Sequence, residues 1–291
     1  RWIGAEGIHF AGPEASTAWF TEGFATYLAR EALLRAGLAT PAEALDDLQE
    51  HVARFTLSPL ATLSGDELGK RLAGNESARQ LAEDRGLLYA AELDAAVQAR
   101  SGGKRGLDDL LATLLARATP PPIEDKGGDD TPTPPTVALP AAAFRELLGE
   151  ELGQDAQARF DAVIVRGEKF LPPSQAFGPC FKSGKKSLAR FELGFDESSL
   201  IDRKVHGLKA TSAAGRAGLR DGDVLDQPVV PGGADKALEL VVLRDGAKKT
   251  IRYLPQGESV NGTGWSRVAG VPDSACARPL PPAPTPAPAA P

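Results

Sequence analysis

At 291 residues and 42% apolar side chains, the chain is long enough to bury a sizeable core and is expected to hold two or three domains. Its 39 acidic and 33 basic residues give a net charge of −6, which argues against a nucleic-acid partner, whose phosphates need a basic face. No apolar run is long enough to span a bilayer, there is no secretory signal, and there is no Met, so the opening Arg1-Trp2 reads as a piece or processed form of a longer protein.

In chain order, residues from about Trp19 to Arg117 read as a run of helices. Phe24, Leu28 and Leu34 keep helical spacing up to Gly37-Leu38, where a Schellman end is expected. Thr40-Pro41-Ala42-Glu43 combines an N-cap, a first-turn proline and a capping-box glutamate, and Ser64 to Glu67 repeats the box. Asn75 is placed to cap a helix carrying Ala78, Leu81, Leu88 and Val97 that breaks at Gly102-Gly103, and another holds Leu107, Leu110, Leu111 and Leu114. Residues 119–139 form a Pro/Gly-rich linker. Residues 140–187 read as a helical connecting segment with Phe144, Leu147, Leu148 and Phe160 inward. Beyond it the pattern shifts to short β-branched runs, with Leu238 to Leu243 and Thr250 to Leu254 joined through Asp245-Gly246 as a hairpin. The Pro/Ala-rich tail after Pro279 is expected to be disordered, polyproline-like or a spacer. Cys180 and Cys276 flank the β-rich segment; a disulfide suited to an oxidising compartment and two unrelated thiols both remain open.

The stretch that carries chemistry is Trp19-Phe20-Thr21-Glu22-Gly23-Phe24-Ala25-Thr26-Tyr27. On a helix, Glu22 shares a stripe with Trp19, Thr26 and Ala29, and a carboxylate in such apolar surroundings requires a cation, hydrogen bonds or a metal. Gly23 inside a helix costs about 1 kcal/mol relative to Ala, so it is expected to admit another element at close range. Residue physics leaves a buried arginine partner for Glu22 and a metal both open, and by itself favours the arginine.

The wording of this stretch resembles the third-ligand helix of gluzincin metallopeptidases, Trp-Leu/Phe-x-Glu-Gly-Phe-x-x-Tyr, and among them the PDZ-containing glycyl aminopeptidases. Leu33-Leu34-Arg35-Ala36-Gly37-Leu38, Leu93-Asp94 and Ser101 to Leu110 extend the resemblance. It implies an α+β multidomain protein: residues 1–118 as the helical half of a thermolysin-like catalytic domain, and residues 188–256 as a small PDZ-like β domain. Residues 257–291 would form a C-terminal extension. It implies zinc as cofactor in the full-length protein, Glu22 as a metal ligand, Thr26 as a hydrogen-bond partner of that ligand where the family usually has aspartate, and a peptide or protein as substrate. A periplasmic or secreted location follows from the same likeness.

The sequence also departs from the pattern. The HExxH helix is absent, and His9, His51 and His206 include no i, i+4 pair, so no catalytic residue is assigned in this chain and tight zinc binding by it alone is not expected. Glu83 stands where related gluzincins place an oxyanion-stabilising tyrosine, and Tyr89 is expected in the core. His9 and His51 are expected at the surface or as caps.

Leu193, Gly194 and Phe195 resemble the carboxylate-binding loop of PDZ domains, where consecutive amides clamp a peptide C-terminus and the next strand pairs with it. Ala213 to Leu225 matches the family's Ala-Gly-Leu-x-x-Gly-Asp block, with Leu219 and Leu225 expected in the core. The segment from Leu225 to Leu238 is poor helical material, so the groove's second wall is expected to be reduced. A catalytically degenerate, peptide-binding or interaction module is the alternative function.

Overall fold

The computed structural model describes residues 8–11, 17–118, 138–229 and 233–277, which fall into two compact units. The first draws on residues 1–48, 58–183 and 265–291, and the second on residues 49–57 and 184–264. The sequence-predicted linker and Pro/Ala-rich tail lie almost wholly outside the described residues.

In the first unit, β1 (His9–Ala11) pairs in parallel with β2 (Ala138–Pro140). A π-helical turn, Trp19–Phe24, runs directly into α1 (Ala25–Arg35). Gly37 ends this helix at φ 66°, with Leu38 N–H donating to Leu33 O and Gly37 N–H to Leu34 O, the expected Schellman pair. Both capping boxes form: Thr40 and Glu43 open α2 (Pro41–Leu57), and Ser64 and Glu67 open α3 (Gly65–Gly69). Asn75 Oδ1 accepts from Ala78 N–H at 3.0 Å and caps α4 (Glu76–Ser101), followed by α5 (Leu107–Ala118).

The connecting segment supplies α6 (Ala141–Leu152) and α7 (Gln154–Phe160), the latter extended by a π-helical turn, Asp161–Val165. Phe144, Leu147, Leu148 and Phe160 are buried as the spacing predicts. Phe144 and Phe160 close an aromatic core with the helix that carries the motif: the Phe24–Phe144 and Trp19–Phe160 ring centroids lie 5.7 and 5.4 Å apart. Cys180 and Cys276 are disulfide-bonded, 96 positions apart, and closing a loop of that order stabilises by about 4–5 kcal/mol in the chain-entropy account.

The second unit contains most of the two-stranded sheet of β3 (Phe181–Phe191) and β7 (Gln256–Arg267), together with a three-stranded sheet. β3 starts within the stretch predicted to be helical, and it carries Lys182, Lys185 and Lys186. The three-stranded sheet has the order β4 (Val224–Leu225), β5 (Leu238–Arg244), β6 (Ala247–Tyr253), all antiparallel. Asp245 and Gly246 turn the β5–β6 hairpin with φ 52° and 78°, the paired left-handed conformations that such a turn requires. Leu193, Phe195, Leu219, Leu225, Leu240 and Val242 form the heart of the core, so Leu219 and Leu225 sit where the motif places them. Beneath the Gly-Asp block, buried Asp223 receives two bonds from Arg244, at 2.6 and 2.7 Å, and the Arg220 amide at 2.9 Å.

Candidate functional site

The motif helix owes its position to one contact. A Cβ built on Gly23 would overlap the Cα of Gly86 and stand 2.7 Å from the Glu83 carbonyl oxygen; one on Gly86 would run into the Trp19 carbonyl group. The expectation that Gly23 admits a close neighbour is met, and the neighbour is a second glycine on α4. Two helix backbones touch there, and neither can move aside for a methyl group.

This contact fixes what stands around it. Thr26 donates its hydroxyl to Glu83 Oε1 at 3.0 Å, both residues partly buried. Thr26 was expected to support Glu22; its hydroxyl goes to Glu83 instead, because the Gly23–Gly86 approach brings that carboxylate within reach across the crossing. Tyr27, the last residue of the motif, donates to Asp94 Oδ2 at 2.8 Å. Asp94 Oδ1 also accepts the Leu107 amide at 2.6 Å at the start of α5, and Gln98 donates to Oδ2 at 2.6 Å. The Leu93-Asp94 and Gly-Gly-Lys-Arg-Gly-Leu blocks therefore meet in space: one buried carboxylate ties Tyr27 to the first amide of the next helix. Burial, then the nearby charges of Glu31 and Asp94, push the Tyr27 hydroxyl well above its usual pKa and keep it a donor.

Glu22 is exposed, and among the described residues it makes no hydrogen bond or ion pair. The expectation of dry surroundings is not met. The buried stripe of this helix runs through Phe20, Gly23, Phe24, Tyr27, Arg30 and Leu34, while Trp19 and Thr26 are half-buried and Ala29 is exposed. Glu22 lies on the outer flank of that stripe, so hydration rather than a buried arginine satisfies its charge. Its place is nevertheless unusual, since the π-helical turn covers Trp19–Phe24, and such turns recur at functional sites.

The described residues hold one candidate metal ligand, not a set. Among them, no group of three or more His, Cys, Asp or Glu side chains is arranged to bind a metal ion. His51 is buried rather than at the surface and lies 2.9 Å from Arg54 Nη2 through Nδ1. His206 is half-buried between Asp196 and Asp202, at 3.1 and 3.3 Å. Glu83 occupies the position at which sequence reasoning looked for an oxyanion donor, and Tyr89 is buried in the core as predicted.

In the second unit, Leu193 and Phe195 point into the core and Gly194 holds φ 89°. The Leu193 carbonyl accepts the Tyr253 hydroxyl at 2.8 Å and the Gly194 carbonyl accepts the Lys209 amide at 2.9 Å. The flanking amides of Glu192 and Asp196 are bonded to Pro255 O and His206 O. Among the described residues, the three amides between them have no partner. The chain beyond Phe195 does not continue as a strand: it turns into α8 (Ser198–Asp202), and only an isolated bridge joins Lys204 to Val224. The described residues between Leu225 and Leu238 form no helix.

Comparison with known proteins fits the first unit. No curated protein matches the chain. Among solved structures, an aminopeptidase N family protein from Idiomarina loihiensis superposes with a TM-score of 0.50 at 17% identity, covering 91% of this chain and 49% of that one. The chain thus spans about half the length of that structure, and at this identity the likeness speaks for the fold alone. A family model described as M61 glycyl aminopeptidase matches residues 9–64, a stretch that contains the whole Trp19 to Tyr27 motif. The likeness to the M61 glycyl aminopeptidase model is confined to that segment, about a fifth of the chain.

Proposed function

We propose that this chain contributes the third-ligand half of a zinc-dependent, aminopeptidase-like catalytic domain, with Glu22 as its metal ligand. The observation that carries the reading is the family match over the π-helical turn that presents Glu22, seated on the Gly23–Gly86 contact. An exposed carboxylate without a protein partner is available to an incoming cation, and its helix is anchored by aromatic packing and by Tyr27–Asp94. Zinc, when bound, supplies Lewis-acid polarisation of a scissile carbonyl and activation of water.

The chain's own residues set limits on that chemistry. Thr26 holds Glu83 on the same face, where a tyrosine would donate to a developing oxyanion; an ionised carboxylate cannot donate. Peptide hydrolysis by this chain alone is therefore not expected. The paired cysteines support a periplasmic or secreted location, since such bonds persist in oxidising compartments.

The test uses the longest natural form of the protein, with zinc content after dialysis and hydrolysis of an N-terminal glycine amide as readouts. Glu22→Gln is expected to lower retained zinc to well below one per chain, and to lower any hydrolysis at least about 100-fold. Unchanged zinc in Glu22→Gln would overturn the assignment.

A second reading, a module that captures peptide C-termini, is favoured by the unpartnered amides of Leu193, Gly194 and Phe195. A free carboxylate would accept from them. Peptides ending in a carboxylate should bind at micromolar concentrations and their C-terminal amides should not; equal binding of both, or of neither, rejects the clamp.

A further inference from the structure

Two arginines are buried among the described residues, and their charges are handled differently. Arg30 has Asp47 at 3.7 Å, donates to the Ala44 carbonyl, and lies over the Phe177 ring at 5.1 Å. Arg85, 1% exposed, has only carbonyls: its Nη2 donates to Ala61 O at 3.1 Å and to Leu63 O at 2.9 Å. Its Nε is buried with no partner, and among the described residues no carboxylate reaches the guanidinium. Burial alone pulls Arg85 down to about 10, which still leaves it charged at neutral pH.

A buried charge lacking a counter-charge is among the costlier things a fold can contain. Arg85 also lines a cavity of about 20 Å³, together with Ala18, Trp19, Gly65, Leu68, Ala82 and Ile164. That volume holds one water or one monatomic ion and excludes sulfate, phosphate or a carboxylate ligand. A water brings no charge and needs two to four polar partners, whereas the polar side-chain groups of this lining are the Arg85 guanidinium and the Trp19 indole N–H, both donors only. An anion needs only donors, and the guanidinium supplies them.

We propose that this cavity is a binding site for a small monovalent anion, a halide such as chloride, held by the guanidinium of Arg85. Trp19 opens the π-helical turn that carries Glu22, and Arg85 precedes Gly86 of the helix crossing. An occupied cavity therefore braces the turn through Trp19.

The experiment compares thermal unfolding of the full chain in sodium gluconate and in sodium chloride at constant ionic strength, with ³⁵Cl line width as a second readout. Chloride is expected to raise the midpoint saturably by roughly 2–4 °C. It should also show excess line broadening that bromide titrates away. Both effects should vanish in Arg85→Met, which keeps an apolar side chain of similar reach without the charge. Equal midpoints in the two salts, or the same chloride response in Arg85→Met, overturns the proposal. If Arg85→Met does not fold, the wild-type line width decides: bromide-sensitive broadening supports the site, and its absence rejects it.

Discussion

The helix crossing of the first unit and the Gly194 loop of the second each depend on a glycine, yet they use it in opposite ways. At Gly23 the missing side chain lets two helix backbones meet, and the residues above the contact, Glu22 and the Thr26–Glu83 pair, are left at or near the surface. At Gly194 a Cβ would meet the Ser212 hydroxyl at 2.5 Å, and the backbone is left-handed, so the loop itself is bent inward and its neighbours fill the core. The first arrangement builds a rigid floor under exposed chemistry. The second buries its side chains and leaves only backbone amides to offer. The same residue type thus gives close helix packing in one unit and a left-handed turn in the other.

Stability measurements on substituted chains test both units. Gly86→Val drives a branched side chain into the Trp19 carbonyl and is expected to cost about 3 kcal/mol or more by urea unfolding, because only backbone is available to yield. A loss below about 1 kcal/mol would mean the helices can separate, and the floor under Glu22 is not rigid.

Asp223→Ala in the second unit removes the acceptor for the Arg220 amide and for Arg244, and is expected to cost about 2 kcal/mol. Burial pushes the Asp223 carboxyl up, but the Arg244 hydrogen bonds and the Arg220 amide outweigh it and hold it below the usual range. A depressed folded value means that this stabilisation is present above the unfolded carboxylate range, near pH 4, and is lost as pH falls through the folded value. Acid titrations of stability should therefore slope downward in the wild type below about pH 4, and less steeply in Asp223→Ala. Identical slopes would remove Asp223 from the account.

The smallest effect tests the surface pair directly. Thr26→Val keeps the shape and deletes the bond to Glu83, for an expected loss of about 1 kcal/mol. No change would show the two residues to be neighbours without coupling.

Much of the first unit was legible because local signals and packing agree there. The Thr40 and Ser64 capping boxes, the Gly37 end and the inward Phe144 and Phe160 follow from spacing and side-chain chemistry alone. Gly23 announced a close contact by its cost in a helix, but nothing in one sequence names Gly86 as the partner, since that pairing spans the chain. The same distance hides Asp94, which holds Tyr27 and Leu107 together. The stripe of Trp19, Thr26 and Ala29 misleads for Glu22, because the helix buries the neighbouring stripe through Phe20, Phe24 and Tyr27 more deeply. In the second unit the Ala-Gly-Leu and Gly-Asp residues fixed the core, while the helix at Ser198–Asp202, where a strand was expected, follows from no strong local signal.

The most direct measurement locates zinc in crystals of the longest natural form, using anomalous scattering at the zinc edge. The account predicts a peak about 2.0–2.2 Å from a Glu22 carboxylate oxygen. Zinc bound elsewhere, with Glu22 still solvated, would contradict it.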